Sequence, residues 1–168
     1  MSDKPAPPGP FNHFDARGQA VMVDVSAKSP SLRTAVAGCR VRMRPEILQA
    51  VLAGAVAKGD VLGVARLAGI AAAKRADQLI PLAHPLALHH LAIDFSSDAT
   101  TGVLEVRATV KAFERTGVEM EAMVAATVAG LTVYDMCKGA DKRISIEKVV
   151  LLFKEGGKSG VFRREEEP

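Results

Sequence analysis

Aromatic residues and cysteines are scarce in this 168-residue chain. Aromatic residues make up 4% of it, with no tryptophan and a single tyrosine, so the core must be built from aliphatic side chains. Proteins that bind single-stranded nucleic acid stack its bases on aromatic side chains, and this composition argues against that class. The two cysteines, Cys39 and Cys137, are too far apart for a CxxC motif and too few for a disulfide scaffold. We therefore expect a reduced, cytoplasmic protein that binds no nucleic acid.

The sequence also lacks a signal peptide and a long membrane-spanning run. Its N-terminus has no charged segment followed by an apolar one, and four of its nine prolines precede residue 12. The longest nearly apolar run, 122–134, is shorter than the roughly 20 residues that cross a bilayer. We expect no membrane contact. We predict a disordered tail over 1–12, a single domain over 13–160 and a charged C-terminal tail over 161–168.

Hydrophobic residues make up 48% of the chain and charged residues 24%, which is typical of a globular domain. The formal net charge of +3 fits a phosphorylated small molecule better than a nucleic-acid duplex. Alternating apolar and polar residues predict strands, and apolar residues at helical spacing predict helices. The predicted strands are 20–25, 34–43, 86–95, 103–113 and 144–154; the predicted helices begin at Pro45, Asp60 and Val118. This order predicts an α+β fold of the ferredoxin-like type, a mostly antiparallel sheet with helices on one face.

The second predicted helix carries two more specific predictions. Asp60 precedes its first apolar residue, so we predict that its side chain caps the helix. Gly63 and Gly69 lie within the helix although glycine lowers helix propensity. We predict that they allow another backbone to approach closely.

The C-terminal end of the long helix 118–138 carries the sequence YDMCK, in which Asp135 and Lys138 are three residues apart. This spacing places both side chains on one helical face. One interpretation is a local ion pair, favoured by the negative end of the helix dipole. The other is a proton-transfer pair, in which burial lowers the pKa of the lysine. The spacing leaves both interpretations open.

Two further segments contain titratable side chains. In PLAHP, Pro85 holds His84 in an extended backbone, which suits either a structural loop histidine or a rigidly placed functional one. No second ligand lies at a zinc-binding spacing. Glu119 and Glu121 favour the positive end of the dipole of the helix that follows. Residues two apart do not face each other on a helix, so a joint role needs an irregular first turn or a partner subunit.

The segment GGKSG, 156–160, does not form a P-loop, because Leu152 stands where that motif needs its first glycine. Between residues 138 and 158 there are six basic residues and only three acidic ones. This local excess suits an anionic ligand, although a solvated surface would have the same composition.

Several stretches, in their order along the chain, resemble one family. From about Phe14 to Gly160 the sequence resembles the molybdenum cofactor biosynthesis protein C (MoaC) family of cyclic pyranopterin monophosphate synthases. The resemblance implies a ferredoxin-like subunit in a homohexamer, a trimer of dimers with active sites at subunit interfaces. It also implies a lyase reaction in which a cyclised dihydro-GTP, its ribose C3′ joined to C8, becomes cyclic pyranopterin monophosphate with loss of pyrophosphate. The stretches are MVDVSAK (22–28), KGDVLGVARLAGIAAAKRADQLIPLAHPL (58–86), TGVEMEA (116–122), YDMCKGADK (134–142) and GGKSG (156–160).

The resemblance also implies roles for individual residues. Asp135, Lys138 and Lys58 would be catalytic. The family usually has cysteine where this chain has Ala83, so we expect that no thiol is needed there. The substrate-binding residues would be Leu82, Ala83, His84, Glu119, Met120 and Glu121, with Arg33, Lys154 and Lys158 as phosphate contacts.

No redox cofactor and no protein metal site are implied, although magnesium could accompany the substrate phosphates, because it binds through few protein ligands. An alternative function is a non-catalytic oligomeric module that binds nucleotide or RNA through a basic face. It gives no reason for Asp135 beside Lys138 or for the rigid loop at His84. In either case we expect an oligomer, because the helix that starts at Val118 has no clear polar face.

Overall fold

The computed structural model describes residues 13–15 and 17–165, and a five-stranded sheet organises them. The sheet order is β2-β3-β1-β4-β5, and every neighbouring pair is antiparallel. The first four strands and their connecting helices follow a β-α-β-β-α-β order, which confirms the predicted ferredoxin-like α+β fold. The predicted tail 1–12 lies outside the described residues. The elements are β1 Ser31–Arg42, α1 Pro45–Leu52, α2 Val61–Ala73, α3 Ala76–Leu79, β2 His90–Asp98, β3 Val103–Glu114, α4 Glu119–Cys137, β4 Ser145–Glu155 and β5 Phe162–Arg163.

The segment 20–25 is not the strand that the sequence predicts, and that prediction is wrong. The backbone turns instead, because the Asp24 carboxylate accepts a hydrogen bond from the Ser26 amide at 2.8 Å. The Lys28 amide then donates to the Val25 carbonyl at 3.0 Å and closes a turn. The segment is therefore irregular, and the turn that follows it leads to Lys28.

The sheet extends beyond residue 160, where the sequence predicts only a charged tail. The strand β5 pairs with β4, and the Arg164 amide donates to the Leu152 carbonyl at 2.8 Å. The Arg163 guanidinium lies over the Phe153 ring, 5.1 Å from its centroid. The strand β5 is only two residues long and shows no alternating pattern, which is why composition alone indicated a tail.

The core is built from small side chains where α4 crosses β1. Ala35, Ala37, Cys39 and Val41 alternate along β1 and are fully buried. On α4 the facing residues are mostly alanines, and a Cβ atom on Gly130 would lie 2.9 Å from the Cys39 sulfur. Helix and sheet therefore approach closely, as the scarcity of aromatic residues requires.

The helix α4 is long and apolar enough to cross a membrane by length and composition alone. Half of its most apolar window is buried inside the fold, where α4 packs against α2 and three strands, β1, β3 and β4. This burial is that of a core helix, and it explains why the helix has no clear polar face.

Two of the predictions for α2 are confirmed and one is wrong. The Asp60 side chain caps the helix, accepting from the Gly63 amide at 2.8 Å. A Cβ atom on Gly69 would lie 2.3 Å from Cδ1 of Ile93 and 2.7 Å from the Ala125 carbonyl oxygen, so α4 does approach there. At Gly63 the nearest atoms belong to the capping carboxylate of Asp60, not to another backbone.

The substitution Gly69→Ala tests this close approach. We expect it to lower the free energy of unfolding by about 1–3 kcal/mol, because the added methyl group must push α2 away from α4. Gly139→Ala is a suitable control, since a Cβ atom there meets nothing within 4 Å. Chemical denaturation of both variants would measure the difference. Equal stability of the two would show that the helices do not pack as tightly as described.

Candidate active site

The predicted site residues lie in two groups at opposite ends of α4. Glu121 and Asp135 are 14 positions apart on this helix, so their backbones are separated by about 21 Å along its axis. One chain therefore brings the predicted substrate-binding residues together, and separately the predicted catalytic residues, but it does not bring the two groups together. The N-terminal group contains Arg33, Leu82, Ala83, His84, Glu119, Met120, Glu121, Lys154 and Lys158; the C-terminal group contains Lys58, Asp135 and Lys138.

A cavity of about 300 Å³ lies at the N-terminal end of α4, between the loop that contains His84 and the irregular segment 20–30. The ring Nε2 of His84 lies 2.8 Å from the Val23 carbonyl oxygen. A carbonyl only accepts hydrogen bonds, so Nε2 carries the proton, and Nδ1 of a neutral ring is left as an acceptor. Leu82 and Ala83 line the same cavity, and the Ala83 amide donates to the Ile80 carbonyl at 3.0 Å.

Glu121 is the buried charged group of this cavity. Glu121 is only 4% exposed, and its Oε2 has no hydrogen-bond partner among the described residues. Burial raises the pKa of the carboxyl to about 7, its own backbone hydrogen bond acts against that rise, and the charge of Glu119 adds to it. A buried carboxyl with an unpaired oxygen beside a cavity is a candidate ligand-binding group.

Glu119 lines the same cavity as Glu121, although the two residues are two apart on the helix. Glu119 is the first residue of α4 and Val118 before it is not helical, so Glu119 is placed by the entry into the helix. Its carboxylate pairs with Lys154 at 3.4 Å, and the Lys154 ammonium donates to the Ser159 hydroxyl at 2.6 Å. Glu119 therefore connects the first cavity to the basic segment that follows β4.

A second cavity, of about 700 Å³, adjoins the first, and both are lined by Lys28, Thr116, Gly117 and Glu119. Five cationic side chains and two carboxylates line it. This excess of positive charge suits an anionic ligand. The cationic residues are Lys28, Arg33, Arg115, Lys154 and Lys158, and the carboxylates are Glu119 and Glu155.

Lys28 and Arg115 were not among the site residues predicted from the sequence. Lys28 is the last residue of the motif MVDVSAK, which contributed to the family resemblance. Its place in that motif could have indicated that it belongs to the site. Arg115 precedes TGVEMEA and belongs to no recognisable pattern. Only the fold places its side chain beside the second cavity.

The C-terminal group is an exposed ion-pair cluster. The Lys138 ammonium lies 2.5 Å from Asp135 Oδ1, and the Lys58 ammonium donates to the Asp135 carbonyl oxygen at 2.8 Å. The hydrogen bond and charge of Lys138, followed by the charge of Lys58, lower the pKa of Asp135. Asp135 in turn raises the pKa of Lys138.

Of the two interpretations of Asp135 and Lys138, a single chain therefore shows the local ion pair and not a lysine whose pKa burial lowers. The Lys138 side chain is 49% exposed, and the neighbouring carboxylate holds its proton more tightly. Lys58 is exposed as well. Beside the cluster, an apolar groove contains Cys137, and burial raises the pKa of its thiol. The lysines can become desolvated only if something else covers this end of α4.

Among residues 13–15 and 17–165, no three His, Cys, Asp or Glu side chains converge where they could hold a metal ion. The cationic side chains of the second cavity are suited to phosphate oxygens. They outnumber its two carboxylates. The N-terminal group is thus equipped to bind a molecule with a hydrogen-bond donor at one end and several negative charges at the other.

Comparison with known proteins identifies the family of this chain. The MoaC family model matches residues 22–157. A cyclic pyranopterin monophosphate synthase of Geotalea uraniireducens is 71% identical over 157 residues, which cover 94% of this chain and 98% of that protein. The proteins of the same name from Geobacter sulfurreducens and Chloroflexus aggregans are 67% and 50% identical, each over 93% of this chain and over 98% and 94% of their own lengths. The chain therefore belongs to the MoaC family.

Proposed function

We propose that this chain is a cyclic pyranopterin monophosphate synthase, a lyase of molybdenum cofactor biosynthesis. Its substrate is the cyclised dihydro-GTP in which ribose C3′ is joined to C8 of the base, and its products are cyclic pyranopterin monophosphate and pyrophosphate. Relatives that bear the enzyme's name are 50% to 71% identical over nearly their whole length. The observation that carries the proposal is the pair of adjoining cavities, one with a buried carboxyl and one lined by five cations.

The guanine-derived ring binds in the first cavity and the triphosphate in the second. The ring presents N–H and amino donors. Oε2 of Glu121 has no partner among the described residues, and Nδ1 of a neutral His84 ring can accept a hydrogen bond. The triphosphate meets the ammonium and guanidinium groups of the second cavity, which bind phosphate oxygens through charge-assisted hydrogen bonds. Magnesium, if the reaction uses it, arrives with these phosphates.

A second copy of the chain supplies the catalytic group. A general acid or base must come within about 3 Å of the proton that it transfers, and Asp135 is about 21 Å from Glu121 along α4. The homohexamer, a trimer of dimers, meets this requirement if each site combines the N-terminal group of one subunit with Lys58, Asp135 and Lys138 of its partner. Of the two routes expected to give Glu119 and Glu121 a joint role, the irregular entry into α4 already places both at the first cavity, and this arrangement adds the partner subunit.

The outer face of α4 supports a specific arrangement of the dimer. Residues at helical spacing form one stripe on this face: Met120, Thr127, Leu131, Asp135 and Lys138. Leu131 is 53% exposed and Met120 is 38% exposed. If two such stripes pack antiparallel about a two-fold axis, Asp135 lies opposite the partner's Met120. Thr127, midway between these two positions, then lies close to the axis.

The same packing changes the protonation of the lysines. Covering Asp135, Lys138 and Lys58 removes water, and desolvation lowers the pKa of an ammonium group. Both lysines can then give and take protons while bonds in the ring system are broken and remade. Closure of the cyclic phosphate forms an oxygen–phosphorus bond at the α-phosphate and breaks the bond to the leaving pyrophosphate. The cations of the second cavity stabilise the charge that develops on that leaving group.

We place the enzyme in the cytoplasm and propose that it needs no bound cofactor of its own. Both cysteines are free and buried, which suits a reducing compartment. A non-catalytic module that binds nucleotide or RNA is the competing function. Incubation with the cyclised dihydro-GTP separates the two functions, because only the enzyme releases pyrophosphate.

Substitution of the two catalytic lysines by arginine tests proton transfer. Arginine keeps the charge but cannot lose its proton, so we expect Lys138→Arg and Lys58→Arg to lower turnover by about 10²- to 10⁴-fold. Lys158→Arg is the matched control and should keep most of the activity, because a phosphate contact needs charge alone. Steady-state release of pyrophosphate measures the effect, with thermal melts to confirm folding. Near-normal turnover in both catalytic variants would show that these lysines act only as fixed charges.

Disulfide cross-linking tests the arrangement of the dimer. We expect Thr127→Cys to form a covalent dimer on mild oxidation, because the two new thiols lie near the two-fold axis. Gln49→Cys on α1 is the control, since Gln49 is exposed, more so than Thr127, but lies on another element. The natural cysteines are buried and contribute little background. Non-reducing electrophoresis reads the result, and cross-linking at Gln49→Cys but not at Thr127→Cys would contradict this packing.

A further inference from the structure

Arg33 lies at the wall of the second cavity, yet its guanidinium is already engaged by the protein. The residue is 9% exposed. Its Nε donates to the Glu114 carbonyl at 3.0 Å and its Nη2 donates to the Arg115 carbonyl at 3.1 Å. These two carbonyls end β3 and begin the loop to α4, so a side chain of β1 fixes the direction in which that loop starts.

The other side of the guanidinium is covered by a glycine turn. A Cβ atom on Gly157 would lie 1.7 Å from Nη1 of Arg33, and the φ of Gly157 is +76°. A Cβ atom on Gly156 would lie 2.2 Å from the Leu32 carbonyl oxygen, with φ at +98°. Both glycines are therefore required by space as well as by backbone conformation. This contact explains the two glycines of GGKSG without a P-loop.

We infer that Arg33 is a positioning residue that joins β1, the β3–α4 loop and the Gly156–Gly157 turn, and so holds the walls of both cavities in place. The β3–α4 loop contributes Thr116 and Gly117 to both cavities and leads into Glu119. The turn leads directly to Lys158. The assignment of ring and phosphate to the two cavities rests on the proposed function, whereas the contacts of Arg33 do not.

This role differs from the direct phosphate contact that the family resemblance implies for Arg33. A phosphate contact needs a positive charge, which lysine also provides. Joining two carbonyls through one planar group needs the fork of a guanidinium, which lysine lacks. A positioning role also predicts that Gly157→Ala, which removes no charge, has the same consequence as Arg33→Lys.

Calorimetric titration with two probes separates these roles. Guanosine carries no phosphate and probes the first cavity, and inorganic pyrophosphate probes the second. We expect Arg33→Lys and Gly157→Ala each to weaken the binding of both probes by about tenfold, and the double variant to be no worse than either single one. Lys158→Ala should weaken pyrophosphate alone. Gly160→Ala is the control for backbone strain, because its φ is +66° but a Cβ atom there meets nothing within 4 Å.

Hydrogen exchange of the protein without ligand gives a second and independent measurement. We expect Arg33→Lys to speed amide exchange in 114–119 and in 156–159 together, whereas Lys158→Ala leaves the first segment unchanged. Wild-type protein that binds neither probe would overturn the assignment of ring and phosphate to the two cavities, while exchange still tests the contacts of Arg33. Normal guanosine binding and normal exchange in both Arg33→Lys and Gly157→Ala would overturn the positioning role.

Discussion

The helix α4 is buried against the sheet along one side, and this packing keeps it straight and fixes both of its ends. Its N-terminal end carries a buried carboxyl and two adjoining cavities, and its C-terminal end carries an exposed ion-pair cluster. Because the helix is rigid, the separation of about 21 Å between Glu121 and Asp135 cannot be closed within one chain. In the proposed enzyme, bringing the two groups together therefore requires a second copy of this helix.

The composition of the core follows from the same helix. Alanine and glycine at the contact with β1 and α2 let α4 lie close to both, and Gly69 marks the tightest approach. Large aromatic side chains would hold the helix farther away and move its two ends. The exposed stripe of α4 runs from Met120 to Lys138 and has its charges, Asp135 and Lys138, at the C-terminal end. One helix thus contributes to the core, to an exposed surface, and to both the N-terminal and the C-terminal group.

Much of the fold could be predicted from the sequence, because periodicity, the Asp60 cap and Gly69 are local signals. The strand predicted at 20–25 failed because the Asp24 side chain competes for the backbone, and β5 was missed because a strand of two residues shows no alternating pattern. The conjunction of motifs predicted most of the residues that the fold gathers at the two ends of α4, but not Lys28 and Arg115. It did not predict that Lys138 is exposed in a single chain, or that Arg33 is engaged by two carbonyls, since both depend on tertiary contacts.

Mixing two inactive variants measures whether the active site is shared. Glu121→Gln damages the N-terminal group and Asp135→Asn damages the C-terminal group, and each alone should release little pyrophosphate. If every site combines groups from two subunits, half of the randomly mixed dimers contain both variants, and each of these has one intact site, so about one site in four regains activity. Co-refolding the two variants and assaying pyrophosphate release should therefore recover about a quarter of wild-type turnover. A mixture that is no more active than either variant alone would contradict a site shared between subunits.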